Sequence, residues 1–489
     1  MTLRSSLALV PILFLAAIGG CAPKKHALTT VTTNNAALAA AVDPNLVELT
    51  AEATTTLVLA SATSDLGVRV RIHAKELPAA RRPALNLSLV LDTSGSMDGK
   101  AIEALRDSAR QLAAKLRDGD RISVVVFHSK AEVLVNNVAV SRLNRAHIDD
   151  AIVAIHATGT TDLVDGLAMG LSQLGAGMLP NGINRVVLLS DGIPNSSVQL
   201  PQMIAAIRQR GVSVTSLGFG VDYDTALMTQ IARDTGGSFH YLEKPEEVAS
   251  VFDDELVKMT TAVARNMQLT IEPGPGVTIV AMPGITAGGD GKFYAAIGDL
   301  PAGETRDLMI PIQLTARGDG STAELALASL TFEDVIGHSG TRTREGFVSA
   351  KASRDAAAVK GAVKIELEVA RIRAAAAGAI LQAMTLARSG QIAPARQNLA
   401  AAMAVVKAAA AKYKDADLDS LVKELENVAK EIAQLVVIAQ PMQPDPRGGA
   451  PKQPMVAPAP ATAPSNDVES HLRRTEEAAA RTMRGEAGR

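Results

Sequence analysis

The run Leu-Val-Leu-Asp-Thr-Ser-Gly-Ser-Met, from Leu89 to Met97, decides the fold of this chain. It closes an apolar segment that begins at Leu85, and such a segment is typical of a strand buried on both faces of a sheet. Asp92, Ser94 and Ser96 then occupy alternate positions of a tight loop. One carboxylate and two hydroxyls that converge at the end of a buried strand are hard oxygen donors, which suit a small hard cation such as Mg²⁺.

Two later segments have the same arrangement of polar residues beside an apolar element. Residues 159–167 read Gly-Thr-Thr-Asp-Leu-Val-Asp-Gly-Leu, with Thr161 just before a predicted helix. The apolar run Val186 to Leu189 is followed by Ser190 and Asp191. Together with the first loop, these segments resemble the metal-ion-dependent adhesion site of the von Willebrand factor A domain family.

This resemblance implies a doubly wound, mostly parallel, Rossmann-like α/β domain over residues 83–262, with a divalent cation at the edge of its sheet. The implied ion is Mg²⁺, with Mn²⁺ or Ca²⁺ as alternatives. Three hydroxyls would bind it directly and two carboxylates mostly through water, and the five residues are Ser94, Ser96, Thr161, Asp92 and Asp191. A shift of the second loop by one residue, to Thr160, stays open. Because neutral hydroxyls cancel little of the ion's charge, we expect a carboxylate of a protein partner to complete its shell.

Two further acidic residues stand beside the predicted loops. Asp98 and Asp162 each precede a predicted helix, where an Asp side chain can accept the first free N–H groups. We therefore predict that both cap their helices, with a role in shaping the site as the alternative. The resemblance also implies that the last helix of the domain, predicted over 245–262 with Pro245 in its first turn, slides when the metal loop rearranges.

Short strands and Gly/Pro turns flank the α/β domain on both sides. In the segment 46–82, apolar and polar residues alternate from Gly67 to His73, which is typical of a half-buried strand. Residues 263–350 contain several more short apolar runs separated by turns. We expect both segments to form one antiparallel β-sandwich, with the α/β domain inserted between them.

The C-terminal part of the chain changes composition twice. Residues 351–440 are Ala-rich and helical in pattern, and an apolar stripe from Leu418 to Leu435 predicts a face packed on a neighbouring helix. The alternative for this stripe is a docking surface for a partner. Eight prolines in residues 441–465 predict an extended linker. The charged tail, 466–489, is predicted to be briefly helical.

The N-terminus predicts export and lipid attachment. Residues 1–21 have a basic start, a short apolar middle and the ending Ile-Gly-Gly-Cys, which resembles a bacterial lipobox. Cys21 is the single cysteine of the 489 residues, and it is the predicted lipidation site that would anchor the chain to the membrane through the tether 22–45. Ala22 favours the outer membrane of a Gram-negative cell envelope. An ordinary signal peptide with a chance cysteine is the alternative.

Composition narrows the function classes. The net charge is −2, aromatic residues are 2% of the chain and Trp is absent, which argues against nucleic-acid binding. No phosphate-binding loop, Gly-x-Ser-x-Gly motif or His pair of zinc type occurs, so no small-molecule substrate is evident and we predict no enzyme. We predict a membrane-anchored, metal-dependent protein-binding lipoprotein of adhesion or receptor type. Two alternatives stay open, an envelope scaffold that acts through its helical region and a metal-assisted hydrolase.

Overall fold

The structure, a computed structural model, describes residues 45–77, 82–191, 193–219, 225–244, 246–434 and 466–486. The predicted signal peptide, Cys21, the linker 441–465 and all but the last residue of the tether lie outside these ranges. The predicted fold class is confirmed: a mostly parallel α/β domain, additional antiparallel sheets and a C-terminal helical region.

Three strands precede the α/β domain: β1 (Val47–Ala53), β2 (Leu57–Leu59) and β3 (Ser64–Ala74). The α/β domain then contributes six strands: β4 (Leu85–Asp92), β5 (Arg121–Phe127), β6 (Ala131–Ala139), β7 (Ile183–Ser190), β8 (Ser213–Phe219) and β9 (Phe239–Leu242). Its helices are α1 (Lys100–Lys115), α2 (Arg145–Val153), α3 (Leu163–Ala176), α4 (Leu200–Gln209), α5 (Thr225–Thr235) and α6 (Glu247–Thr260). The strand order is β6-β5-β4-β7-β8-β9, and only the β5–β6 pair is antiparallel.

The central strand β4 is buried along its whole length because helices cover both faces of the sheet. Leu87, Leu89 and Leu91 point into the core that α1 and α6 share, whereas Val90 points to the opposite core with α3. Helix α3 approaches the sheet closely, since a Cβ at Gly170 would lie 2.4 Å from a methyl group of Val90. This close approach fixes the loop that precedes α3 next to the end of β4.

The segment after the α/β domain adds seven strands: β10 (Ala262–Pro273), β11 (Val277–Ile279), β12 (Thr286–Ala287), β13 (Phe293–Pro301), β14 (Thr305–Leu314), β15 (Thr322–Asp334) and β16 (Thr341–Ser353). They form two sheets with the N-terminal strands, in the orders β1-β3-β14-β11 and β12-β13-β10-β15-β16-β2. Apolar side chains from both sheets share one core. The two flanking segments therefore make one sandwich, and the α/β domain is inserted between β3 and β10. Only the short β16–β2 pair in it is parallel.

Five helices complete the described chain: α7 (Ala356–Gly361), α8 (Ile365–Arg388), α9 (Ile392–Tyr413), α10 (Ala416–Ile432) and α11 (Asn466–Met483). The predicted stripe on α10 is confirmed as a packed face, since Leu418, Val422 and Leu425 are buried among neighbouring helices. Leu435, the last residue of that stripe, lies outside the described residues. The charged tail differs from its prediction, because 18 of its residues form α11, which packs on the rest of the protein.

Helix α8 is the one helix, among the residues the structure describes, with the length and hydropathy to cross a membrane. Half of its apolar window is buried inside the protein. Its buried residues, such as Ile380 and Met384, contact the other C-terminal helices, as expected for the central helix of a bundle.

Candidate metal centre

The first predicted loop is held at the carboxyl end of β4. Asp92 is completely buried, and its carboxylate accepts hydrogen bonds from the Ser94 backbone N–H at 2.8 Å and from the Ser190 hydroxyl at 2.5 Å. The chain then forms a 3₁₀ turn, Gly95–Met97, whose Met97 side chain is 1% exposed in the α1-side core. This anchor leaves the preceding hydroxyls at the surface edge of the sheet.

Three of the predicted metal ligands form a hydrogen-bonded row beside Asp92. The hydroxyls of Ser94 and Ser96 lie 3.1 Å apart, and the Ser96 hydroxyl donates to a carboxylate oxygen of Asp191 at 2.8 Å. Asp191 follows β7, which is the parallel neighbour of β4, so the two strands end side by side. The structure therefore brings the first and third loops together as the sequence predicts.

The second loop is joined to both of the others through its backbone. The Gly95 N–H donates to the carbonyl of Gly159 at 3.1 Å, and the Asn195 N–H donates to the carbonyl of Thr161 at 2.9 Å. Thr161 itself is 6% exposed. All three loops thus meet at the carboxyl end of the neighbouring strands β4 and β7, and we call this place the corner of the sheet.

The structure distinguishes the two adjacent threonines of this loop. The Thr160 hydroxyl is exposed and bonds to the Ser129 hydroxyl at 3.2 Å and to the Asn195 side-chain amide at 3.1 Å. In the part of the chain that the structure covers, the Thr161 hydroxyl forms no hydrogen bond with the protein, although the residue is mostly buried. A hydroxyl without a protein partner is the better ligand, so this arrangement favours Thr161 over Thr160.

The neighbouring acids differ from one another. Asp162 caps α3 by accepting the Asp165 N–H at 3.1 Å, as predicted. The predicted cap at Asp98 is wrong: the N-cap of α1 is Gly99, which has φ of +83°, and no side chain caps that helix. Asp98 is exposed, and its backbone N–H closes the preceding 3₁₀ turn by donating to the Gly95 carbonyl. Pro245, predicted in the first turn of α6, lies outside the described residues.

Burial raises the pKa of the Asp92 carboxyl, and the hydrogen bonds from Ser190 and Ser94 offset part of that shift. Within the described ranges, no Lys or Arg forms an ion pair with Asp92. An ionised carboxylate that is buried without a nearby fixed cation is unfavourable, and a bound cation would remove that penalty. The donors present therefore fit a divalent ion.

The chemistry of the donor set also limits the kind of metal. Among the described residues, no group of three or more His, Cys, Asp or Glu side chains can hold a metal ion. A cation at this corner would therefore depend on the hydroxyls of Ser94, Ser96 and Thr161, which are hard donors. Such donors favour Mg²⁺, Mn²⁺ or Ca²⁺ over zinc or copper.

Two residues of this corner, Ser190 and Asn195, were not predicted. Ser190 is the last residue of β7, and the pairing of Leu91 with Leu189 places it opposite Asp92. Sequence alone does not give the register of two strands that are almost a hundred residues apart. Asn195 follows Asp191 closely, but nothing in its local pattern predicts its bond to the Thr161 carbonyl.

Comparison with known proteins agrees with this geometry. The sequence profile described as the von Willebrand factor type A domain matches residues 86–254. This chain contains a von Willebrand factor type A domain. We refer to it as the A domain. A domains generally serve protein interaction and adhesion, and they commonly bind a divalent metal at a metal-ion-dependent adhesion site.

Two similar bacterial proteins are uncharacterized. Protein YfbK of Escherichia coli is 30% identical over 214 residues, which are 42% of this chain and 37% of that protein. Protein sll0103 of Synechocystis is 31% identical over 215 residues, which are 44% of this chain and 50% of that protein. The matched region thus spans half or less of each relative. Inter-alpha-trypsin inhibitor heavy chain H2 of Sus scrofa is 27% identical over 205 residues, 40% of this chain and 22% of that protein.

Solved structures share the fold beyond the A domain. A von Willebrand factor type A protein from Catenulispora acidiphila aligns with a TM-score of 0.62 and 18% identity, over 81% of this chain and 91% of that one. The ArnB paralog VWA2 from Sulfolobus acidocaldarius aligns with a TM-score of 0.52 and 15% identity, over 90% and 99%. These similarities show that the arrangement of sheets and helices recurs.

The amino ends of the A-domain strands, opposite the three loops, are joined to the sandwich through buried ion pairs. Arg185, at the start of β7, lies 2.5 Å from Asp299 of β13 and 3.6 Å from Glu255 of α6. Burial opposes ionisation of Glu255, but hydrogen bonding to His240 and the charges of Lys258 and Arg185 hold its pKa well below the usual value. Helix α6, the helix expected to slide, therefore carries an acid that is fixed at the base of the domain.

Proposed function

We propose that this protein binds another protein through a divalent cation held at the corner formed by the three A-domain loops, with a carboxylate of the partner completing the metal shell. The observation that carries the proposal is the completely buried Asp92, which has hydrogen-bond donors but no ion-paired Lys or Arg in the described chain. A divalent ion would supply the missing positive charge.

The chain's own residues have separate tasks in this proposal. The hydroxyls of Ser94, Ser96 and Thr161 would hold the ion, and Asp92 and Asp191 would orient those hydroxyls and bridging waters. The bond from the Ser96 hydroxyl to Asp191 supports this division of tasks. Because most of the donors are neutral, the ion would keep its attraction for an external carboxylate.

The surroundings of the corner favour a macromolecular partner. Ile193 and Val198, in the loop that follows Asp191, are 68% and 84% exposed. The Asn195 contacts hold this loop against the Thr160–Thr161 loop. An acidic side chain flanked by aliphatic residues would contact both the ion and this apolar rim.

The proposal also includes the membrane. We propose that Cys21 is lipidated and that the described domains are held at a bacterial cell envelope, at the outer membrane if the cell is Gram-negative. Two acyl chains give a lasting anchor, whereas one chain alone binds reversibly. Replacing Cys21 with Ser and separating membranes from soluble protein tests this part, and an unchanged membrane fraction contradicts it.

Metal binding is tested first without a partner. We expect calorimetric titration with Mg²⁺ and Mn²⁺ to show one site, and Thr161→Val to weaken affinity by roughly tenfold or more. Thr160→Val is the matched control, since that hydroxyl is engaged by Ser129 and Asn195. Equal affinities for the two variants and the wild type would exclude this site.

Partner binding is tested by capture from envelope extracts. The immobilised wild-type protein should retain a partner with Mg²⁺ and lose it with chelator, and Asp92→Ala should retain none. Asp107→Ala is the control, because that exposed acid lies on α1 away from the three loops. Blocking the acidic side chains of the captured partner chemically should abolish rebinding. Retention that is indifferent to chelator and to Asp92→Ala argues for the scaffold alternative.

A further inference from the structure

The helix of the C-terminal tail covers the free edge of the A-domain sheet. Strand β9 is the last strand of that sheet, so its outer backbone groups have no neighbouring strand. The Tyr241 N–H donates to a carboxylate oxygen of Glu477 at 3.3 Å, and the Tyr241 hydroxyl lies 3.0 Å from that of Ser470. Helix α11 thus protects an edge that would otherwise be open to pairing.

Charged side chains on both sides of this contact are complementary. Arg474 of α11 forms an ion pair with Glu243, which follows β9, and Glu477 lies 3.6 Å from His240 within β9. On the other side of the helix, Glu476 accepts a hydrogen bond from Arg388 of α8 at 3.0 Å. The helix therefore pairs with the A domain and with the helical region at once.

The apolar face of α11 completes the helical core. Leu472 is fully buried, and Ala479, Ala480 and Met483 are at most 7% exposed. These side chains share one cluster with residues of α8, α9 and α10. The surface that receives α11 is thus an amphipathic groove of the kind that binds an amphipathic helix.

The end of the tail docks on the sandwich with a defined fit. The Asp307 N–H of β14 donates to the Gly485 carbonyl at 2.9 Å, and Arg306 pairs with Glu486 in an isolated β-bridge. Gly485 has φ of +71°, and a Cβ there would lie 2.5 Å from the Asp307 backbone. Any other residue at this position would both strain the backbone and collide with β14.

This segment is attached to the rest of the chain only through the 31 residues 435–465, eight of which are proline. We propose that residues 466–486 are a separable helical ligand of the protein's own body. The tail site formed by β9, α8 and β14 would bind the segment whether or not it is covalently connected, including the tail of another copy. Its occupation would clamp the A domain, sandwich and helical region together, independently of any metal. Tethering would only raise its local concentration.

The test uses the full chain with a site-specific protease sequence inserted between Gly449 and Ala450. After cleavage, we expect the tail fragment to co-elute with the body in gel filtration at micromolar concentration. An excess of fluorescently labelled synthetic peptide 466–489 should then replace it within hours. Loss of the fragment on cleavage would show that no site exists. Retention without exchange would show that the tail is a permanent part of the fold, and either result overturns the proposal.

Peptide variants test the fit in competition with the labelled peptide. Gly485→Ala should raise the concentration needed for half-displacement by tenfold or more. Glu486→Gln should act in the same direction but more weakly, because it removes only the attraction of its carboxylate to Arg306 on β14. Thr482→Ala is the matched control, because Thr482 is exposed and its hydroxyl bonds only within α11. Equal competition by all three variants would mean that binding is not directed by the Gly485 and Glu486 contacts, and it would overturn the assigned site.

Discussion

Buried acidic residues at the two ends of the A-domain strands have opposite surroundings. We call these ends the carboxyl edge and the amino edge. At the carboxyl edge, Asp92 is enclosed and is held by hydroxyl and amide donors alone among the described residues. At the amino edge, Asp120, Asp299 and Glu255 are also buried, but Arg82 or Arg185 reaches each of them. At the amino edge, arginines of the chain itself compensate the buried acids. At the carboxyl edge, no Lys or Arg of the described residues forms an ion pair with Asp92.

Under the proposed function, this difference separates a structural joint from a metal-binding site. Fixed arginines at the amino edge tie the A domain to the sandwich, since Asp299 belongs to β13. Buried pairs of this kind are costly to break because the remaining partner is left as an unpaired charge. A carboxylate without such a partner is instead available to a diffusible ion. We expect variants at the two edges to differ accordingly.

The largest effect is expected for Arg185→Leu. It leaves Glu255, 2% exposed, and Asp299, 9% exposed, without their shared guanidinium. We expect the free energy of unfolding in urea to fall by about 3–5 kcal/mol. Arg110→Ala is the control, since its pair with Asp149 is half exposed and screened by solvent, so its loss should change the stability little. Comparable losses in the two variants would mean that the amino edge is not a buried joint.

The residues of the carboxyl edge could be predicted from the sequence, whereas the ion pairs of the amino edge could not. The loops of the candidate metal centre carry local signals, since Asp92, Ser94 and Ser96 lie within five residues at a strand end. The pair of Arg185 with Asp299 joins residues 114 positions apart in two different domains, and no local pattern marks either of them. The docking of α11 could not be predicted for the same reason, because the surface that its apolar face contacts is formed by residues far away in the sequence.

A second large effect on stability is expected for Glu486→Gln in the tail, because arginines lie close to the Glu486 carboxylate. Burial opposes ionisation of Glu486, but Arg484 and Arg306 outweigh it and lower the pKa from 4.5 to about 2. Because the folded pKa is depressed, the stabilisation is present above pH 4.5 and is lost as the pH falls toward 2. We expect Glu486→Gln to reduce the unfolding free energy by about 3 kcal/mol at pH 7.

The test for Glu486 compares the unfolding free energies of the wild type and of Glu486→Gln as a function of pH. Other carboxyl groups titrate in the same range, but they contribute equally to both proteins and cancel in the difference. The gap should be constant from pH 7 to 5 and should narrow at lower pH. A gap that does not change down to pH 3 would contradict the assigned ion pairs.

The carboxyl edge should respond to metal and the amino edge should not. At a Mg²⁺ concentration one hundred times the dissociation constant, binding to the folded state adds about 2.7 kcal/mol to stability. We expect this gain in the wild type and in Thr160→Val, and a much smaller gain in Thr161→Val at the same concentration. Thermal unfolding with and without chelator measures it. An equal gain in all three proteins would place the metal elsewhere.

The smallest effect is expected for Asp92→Asn, whose change in stability should be opposite in sign with and without metal. Because burial raises the pKa of Asp92 in the metal-free protein, the folded state is favoured at low pH and this advantage is lost as the pH rises through that pKa. Asp92→Asn keeps the shape without the charge, so at pH 7 and in chelator the variant should be more stable than wild type by on the order of 1 kcal/mol.

In saturating Mg²⁺ the order of stability should reverse, since only the wild type can use its carboxylate. In the variant the Ser94 N–H can still donate to the amide oxygen, whereas the Ser190 hydroxyl would accept from the amide NH₂ group instead of donating. Both contacts can therefore be kept, and the reversal would report mainly the charge. Asp120→Asn at the amino edge should be destabilised under both conditions, because Arg82 then lacks its carboxylate. If Asp92→Asn is also less stable in chelator, the buried carboxylate is already compensated within the chain, and the two edges do not differ as proposed.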